Sequence, residues 1–144
     1  MKYLLDTCVI AELIKPKPDN NVVHWLKLQV ENQLYISVLT LGEISKRIEK
    51  VKDEVRKKKL RLWLENDLRE RFRRRILPIN EQVAMIWGQI QDRAENQGKG
   101  MPAIDGLIAA TGLAFNMIIV SRNISDMQAS GAVLLDPWNL NQLG

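Results

Sequence analysis

The stretch Met1 to Glu12, MKYLLDTCVIAE, decides how the rest of the chain is read. Tyr3, Leu4 and Leu5 form a short, continuously apolar run, the pattern of a strand covered on both faces of a parallel sheet. Asp6 stands at the carboxyl end of that strand, followed by Thr7 and Cys8, and Val9 to Ile14 then takes up a helical rhythm. Open α/β sheets bind their ligands in the crevice beyond the carboxyl ends of the strands. Asp6 is therefore a candidate for chemistry, with helix capping as its competing role.

Working outward, the same strand-then-helix alternation recurs. Lys15-Pro16-Lys17-Pro18 breaks the first helix, and Asp19 or Asn20 can cap a second, roughly Asn21 to Val30. His24, the single histidine, lies on that helix with no second histidine or cysteine pair at metal-ligand spacing. Leu34 to Val38 alternates and reads as a second strand. Thr40 and Glu43 have the spacing of a capping box, which competes with a role for Glu43 in the same crevice as Asp6. The helical period then runs through Ile44, Ile48, Val51 and Val55. Leu60 to Leu68 carries a further helix that ends in Arg71-Phe72-Arg73-Arg74-Arg75 and stops at Pro78.

Asn80 can cap the next helix, striped by Val83, Ile86, Trp87, Ile90 and Ala94. The loop Asn96 to Pro102 has two glycines and a lysine but no Lys-Ser or Lys-Thr pair, so it is no phosphate-cradling P-loop. Pro102 to Asn116 predicts an apolar helix whose single charge is Asp105. The helix dipole supplies a structural account of that residue, yet its surroundings are so apolar that an ionised side chain needs a cation or a wet crevice. Met117 to Val120 is a third strand running into Ser121-Arg122-Asn123-Ile124-Ser125-Asp126, which repeats the opening pattern. Ala132 to Leu135 is a fourth, and Asn139 to Gly144 reads as a frayed tail. Strands alternating with helices predict an α/β fold with a mainly parallel sheet, in one domain spanning residues 1–144.

The bulk properties agree with a globular domain. The chain has 144 residues, 46% hydrophobic and 26% charged, and no apolar run of the roughly 18 residues that a membrane span needs. No signal peptide is expected, and a single cysteine fits a reducing cytoplasm. The net charge of +4 is unevenly spread. Residues Lys46 to Arg75 hold 14 Lys and Arg against 6 Asp and Glu, an excess of +8, and the remainder, with 7 basic and 11 acidic residues, is −4. One basic segment in an acidic chain points to a polyanionic partner, although such a run also serves as a solvated helix face.

Asp6, Glu43, Asp105 and Asp126 each lie just beyond a strand or in the first turns of a helix. If the parallel topology gathers them, they cannot all be ionised there without a cation. A hard ion such as Mg²⁺ or Mn²⁺ would answer that need, and such sites serve phosphoryl chemistry by polarising the phosphate and activating water.

The phrases LLDTCVIAELIKP, ISVLTLGEI, PAIDGLIAA and VSRNISDM, with a closing LDPW, resemble the PIN-domain ribonucleases, and most closely the VapC-type toxins of bacterial toxin–antitoxin pairs. The resemblance covers Lys2 to Trp138. It implies a three-layer α/β/α domain that uses Mg²⁺ or Mn²⁺ to hydrolyse RNA. Its acidic set maps onto Asp6, Glu43 and Asp105, with a fourth position between Ser121 and Asp126. Thr7 and Ser121 would be the hydroxyl residues beside the carboxylates. Two departures stand out: Cys8 replaces the usual asparagine, and Asn123 stands where many members have an aspartate, which leaves the fourth position to Asp126 or makes the site three-membered.

The resemblance further implies a homodimer and a small antitoxin partner. The basic segment Lys46 to Arg75 would steer RNA through its backbone. Two other readings compete: a PIN-like module that binds RNA or protein with weak catalysis or none, and a receiver-like Mg²⁺ domain. A receiver has paired acidic residues after its first strand and a lysine late in the chain, and this sequence has neither.

Overall fold

The computed structural model describes residues 1–140. Five short strands form one sheet in the order β3-β2-β1-β4-β5, with every pairing parallel. They are β1 (Tyr3–Leu5), β2 (Leu34–Ser37), β3 (Ile76–Leu77), β4 (Ile118–Val120) and β5 (Leu134–Leu135). The crossovers carry α1 (Thr7–Leu13), α2 (Asn20–Lys27), α3 (Val38–Glu49), α4 (Glu54–Leu62) and α5 (Arg69–Arg71), then α6 (Glu81–Asn96), α7 (Ala103–Ala114) and α8 (Ile124–Met127). Residues Asn141 to Gly144, most of the expected tail, lie outside the described residues. Among the described residues no helix is long and apolar enough to cross a membrane.

Alternating strand residues face opposite sides, and each side has its own core. Leu5, Ile36 and Val120 pack with Val9, Trp25, Ile44 and Phe72 on the face covered by α1 to α5. Leu4, Ile119 and the partly buried Tyr35 pack on the other face with Val83, Ile90 and Ile108 from α6 and α7. This two-sided burial is why β1 and β4 read as apolar runs without alternation, and it gives the expected three-layer α/β/α architecture.

Four local expectations need correction. β3 is a fifth strand in a place read as a helix end. Helix α4 leads into a π-helical turn, Trp63–Leu68, and α5 stops at Arg71. Arg74 then adopts a left-handed φ of 68°, and the chain turns into β3. The helix that begins near Thr40 does not continue to Val55. It ends at Glu49, and Asp53 starts a new helix by accepting hydrogen bonds from the amides of Val55 and Arg56. Finally, Ser37 rather than Thr40 caps α3, its Oγ accepting from the Leu39 amide at 3.0 Å.

Helix α7 lies so close to the sheet that a Cβ on Gly112 would sit 2.7 Å from both Cγ1 and Cδ1 of the fully buried Ile119. Gly88 on α6 has nothing within 4 Å. Thermal or urea unfolding should therefore separate two identical changes. Gly88→Ala should stabilise by up to about 1 kcal/mol through helix propensity. Gly112→Ala should destabilise by about 1–3 kcal/mol from overpacking, less that same propensity gain.

Candidate active site

The chain runs β1, β2, β3 outward to one edge and then returns to place β4 on the other side of β1. The direction of winding reverses between β1 and β4, the kind of switch point where such sheets open a crevice. Asp6 follows β1 and Ser121 follows β4, so both stand at that opening. The Asp6 amide donates to the Val120 carbonyl at 2.9 Å, which extends the ladder into the site.

Asp6 is buried, with 3% of its surface exposed. Its Oδ1 accepts from the Thr7 amide at 2.8 Å, and its Oδ2 accepts from Ser121 Oγ at 2.7 Å. It is thus the N-cap of α1, and the same position sets its carboxylate at the crevice. Burial pushes its pKa above the ordinary carboxylate range, and Glu43 adds to the rise. Ser121, Thr7 and the positive charge of Arg47 pull the other way.

A chain of hydroxyls ties the second carboxylate to the first element. Thr7 Oγ1 donates to Glu43 Oε1 and lies 3.1 Å from Thr40 Oγ1. A hydroxyl has one proton, so Thr40 must donate to Thr7. The wiring beneath Ser121 follows the same logic. Its proton goes to Asp6, its oxygen accepts from the Asn123 amide at 2.9 Å, and the Cys8 thiol lies 3.6 Å from it and donates to Asp6 Oδ2 at 4.0 Å. The Cys8 sulfur in turn accepts from the Arg122 amide at 3.4 Å. Burial and the nearby Asp6 push the Cys8 thiol above its usual pKa, so it serves here as a neutral link between α1 and the loop after β4.

Asp105 sits in the first turn of α7, half-buried. Its pKa is raised from 3.8 to about 6, first by desolvation and then by the negative charges of Asp6, Asp126 and Glu43. The four sequence-derived carboxylates therefore act on one region. Asp126 is exposed on the short α8, and Asn123 begins that helix without a side-chain cap. Gly106, the next residue after Asp105, fixes the approach of α7 to α6: a Cβ there would lie 3.0 Å from Trp87 Nε1.

Among the described residues, no three His, Cys, Asp or Glu side chains are gathered as ligands of a single ion. Ionised carboxylates in one crevice repel one another, and the raised pKa of Asp105 reflects burial first and that repulsion second. Apart from the neutral thiol of Cys8, the donors are oxygens, a chemistry that suits a hard cation. Asp6, Glu43 and Asp105 would hold such an ion through one or two direct contacts and intervening waters, the habit of Mg²⁺ rather than of an ion caged by protein alone.

The PIN domain family model matches residues 3–126. The chain is a PIN-domain protein. Its PIN domain is similar to the toxin FitB of Neisseria gonorrhoeae, 34% identical over 136 residues that cover 94% of this chain and 98% of that one. It is also similar to the VapC ribonuclease Y4jK of Sinorhizobium fredii, 30% identical with 94% and 96% covered. Among solved structures, the crystal structure of FitAcB from Neisseria gonorrhoeae has a TM-score of 0.91 at 34% identity, covering 95% of this chain and 99% of that one.

Two residues of this PIN domain escape a reading of the sequence. Thr40 looks like a cap but is a relay to Thr7, and its place three residues before Glu43 on one helix face was the available signal. Arg47 looks like one of many basic residues, yet its charge reaches Asp6. Conversely, His24 is exposed on α2, remote in the fold from the crevice elements. Arg71 and Arg75 bind Glu31 and the Leu34 carbonyl at the amino-terminal end of β2, the end of the sheet opposite the carboxylates.

Proposed function

We propose that this PIN domain is an endoribonuclease that requires Mg²⁺ or Mn²⁺ and serves as the toxin of a toxin–antitoxin pair. The observation that carries the reading is the buried carboxylate of Asp6 at the sheet switch point, held by Ser121 and joined through Thr7 to Glu43. A crevice that crowds negative charge at a sheet switch point has a use for a cation. Relatives named as a toxin and as a ribonuclease support the choice of RNA, and a similar structure titled as FitAB bound to a DNA fragment supports a partnered toxin.

When bound, the ion would supply polarisation of the phosphate and a lower pKa for an attacking water. The rest belongs to the chain. Thr7 and Ser121 hold Glu43 and Asp6 by donating to their ionised forms, which fixes the carboxylates before substrate arrives. Asp105, once ionised, would join them in holding the ion. Hydrolysis breaks the P–O3′ bond, the water oxygen stays on the 5′-phosphate, and the 3′ oxygen leaves as a hydroxyl. Asp126 lies at the exposed rim, where it completes the acidic set or positions the water.

The partners follow from charge and family: single-stranded or looped RNA as substrate, a second copy of the chain, and a small antitoxin that offers a cation to the acidic crevice. Light scattering on the purified chain should give the mass of a dimer. Such an enzyme would work in the cytoplasm, where its RNA is. A labelled RNA oligonucleotide incubated with the protein should be cut with Mg²⁺ or Mn²⁺ and left whole with EDTA, giving 5′-phosphate and 3′-hydroxyl ends. Binding without cleavage in every metal would instead make the domain a non-catalytic RNA-binding module.

A further inference from the structure

The basic segment is not one continuous surface. Arg71 and Arg75 are spent on Glu31 at the far end of the sheet. Lys57 and Arg61 both pair with Glu49. Arg47 and Arg56 are different. Among the described residues neither has a carboxylate within 4.0 Å, and both line a cavity of about 220 Å³ between α1, α3 and α4. Its floor is aliphatic, formed chiefly by Ile44, Ile48 and Leu60, and no acidic residue lines it. Lys15 stands at its rim but is engaged by Glu12 at 3.0 Å.

The cavity is joined to the carboxylates through α3. Arg47 follows Glu43 by four residues, so the two share a helix face about 6 Å apart along its axis. The positive charge of Arg47 acts on Asp6. We propose that this cavity holds a nucleotide flanking the cleaved bond of the RNA substrate, with its phosphate on Arg47 and Arg56 and its sugar on the aliphatic floor. The inference rests on the ribonuclease reading and names a binding subsite for it. The volume is below the roughly 300–1,000 Å³ of drug-sized ligand sites, which fits one sugar-phosphate unit. With no aromatic side chain in its lining, the cavity has no platform for base stacking, so it grips any nucleotide alike.

The test uses Arg47→Ala, Arg56→Ala and the double variant, with Lys27→Ala/Arg93→Ala as a control on exposed cations outside both this cavity and the basic segment. Binding of one RNA oligonucleotide is measured in the inactive Asp6→Asn background across salt concentrations, and cleavage in the otherwise wild-type protein. Each of the two single variants should reduce the slope of log K against log salt by about one. Each should raise KM several-fold for all RNA sequences alike, with a smaller change in kcat. Arg47→Lys should recover part of the loss, and the control should leave slope and KM unchanged. If wild-type protein cuts RNA while the double variant keeps its KM and salt slope, the subsite is wrong. A double variant that loses a protein partner but binds RNA normally would assign the cavity to a peptide and also overturn it. If wild-type protein cuts no RNA, the ribonuclease reading fails by itself, and the salt slopes still decide whether RNA occupies the cavity.

Discussion

Asp6→Asn should lower RNA cleavage about a hundredfold or more, the scale of losing one preorganised electrostatic contact in a reaction that develops charge, while the fold survives. The structure explains why the two effects separate. Asparagine keeps an oxygen that can accept from the Thr7 amide, so the cap of α1 remains. Its amide can donate toward Ser121 Oγ, which then turns its own proton toward Cys8, 3.6 Å away. Removing a buried charge beside Glu43 also relieves repulsion, so the metal-free variant should melt at the wild-type temperature or slightly above. Circular dichroism melts and a cleavage time course on the same preparation check both halves. Wild-type rates from Asp6→Asn would remove Asp6 from the site, and an unfolded variant would show that its capping role dominates.

Lowering the pH from 7.5 to 5 should weaken Mg²⁺ binding about tenfold, because Asp105, with a pKa of about 6, must shed its proton before it can face a cation. The sign for stability is opposite. Without metal, Asp105 binds protons more tightly in the folded chain than at its ordinary value of 3.8, and Asp6 is shifted the same way. The contribution of Asp105 to stability is fully present below about pH 4 and is lost as the pH rises through 6, and that of Asp6 has the same sign. Metal-free protein should thus gain stability from these groups on mild acidification. Saturating Mg²⁺ should raise Tm more at pH 7.5 than at pH 5, since stabilisation follows the logarithm of ligand over its dissociation constant. A Tm rise independent of pH would detach Asp105 from the cation. Asp105→Asn should reduce the pH dependence and leave the part that Asp6 contributes.

Much of this was legible in the residues themselves. β1, β2, β4 and β5 announce themselves as apolar runs ending in polar residues, Asp6 follows from where β1 stops, and Asp105 stands out as the one charge in an apolar helix. β3 was hidden because Ile76–Leu77 is too short to show a period, and the arginines before it mimic a helical face. The break between α3 and α4 was hidden because Val51 and Val55 preserve the spacing across it. Ser37 lost to Thr40 as the cap because a capping-box pattern is satisfied equally well by residues that hydrogen-bond elsewhere. The hydroxyl relay from Thr40 through Thr7 to Glu43, and the reach of Arg47 to Asp6, depend on how separate crossovers pack, which no local pattern encodes.

The hydrogen bond from Ser121 to Asp6 joins residues 115 apart in the chain, and that span sets when the crevice can exist. During synthesis at about 5–20 residues per second, the first carboxylate is made roughly 6–23 s before its hydroxyl partner. Pairing of β4 with β1 is a long-range contact that closes late. The nascent chain therefore travels beside its own message without an assembled crevice, and becomes competent only when nearly all of it has been released.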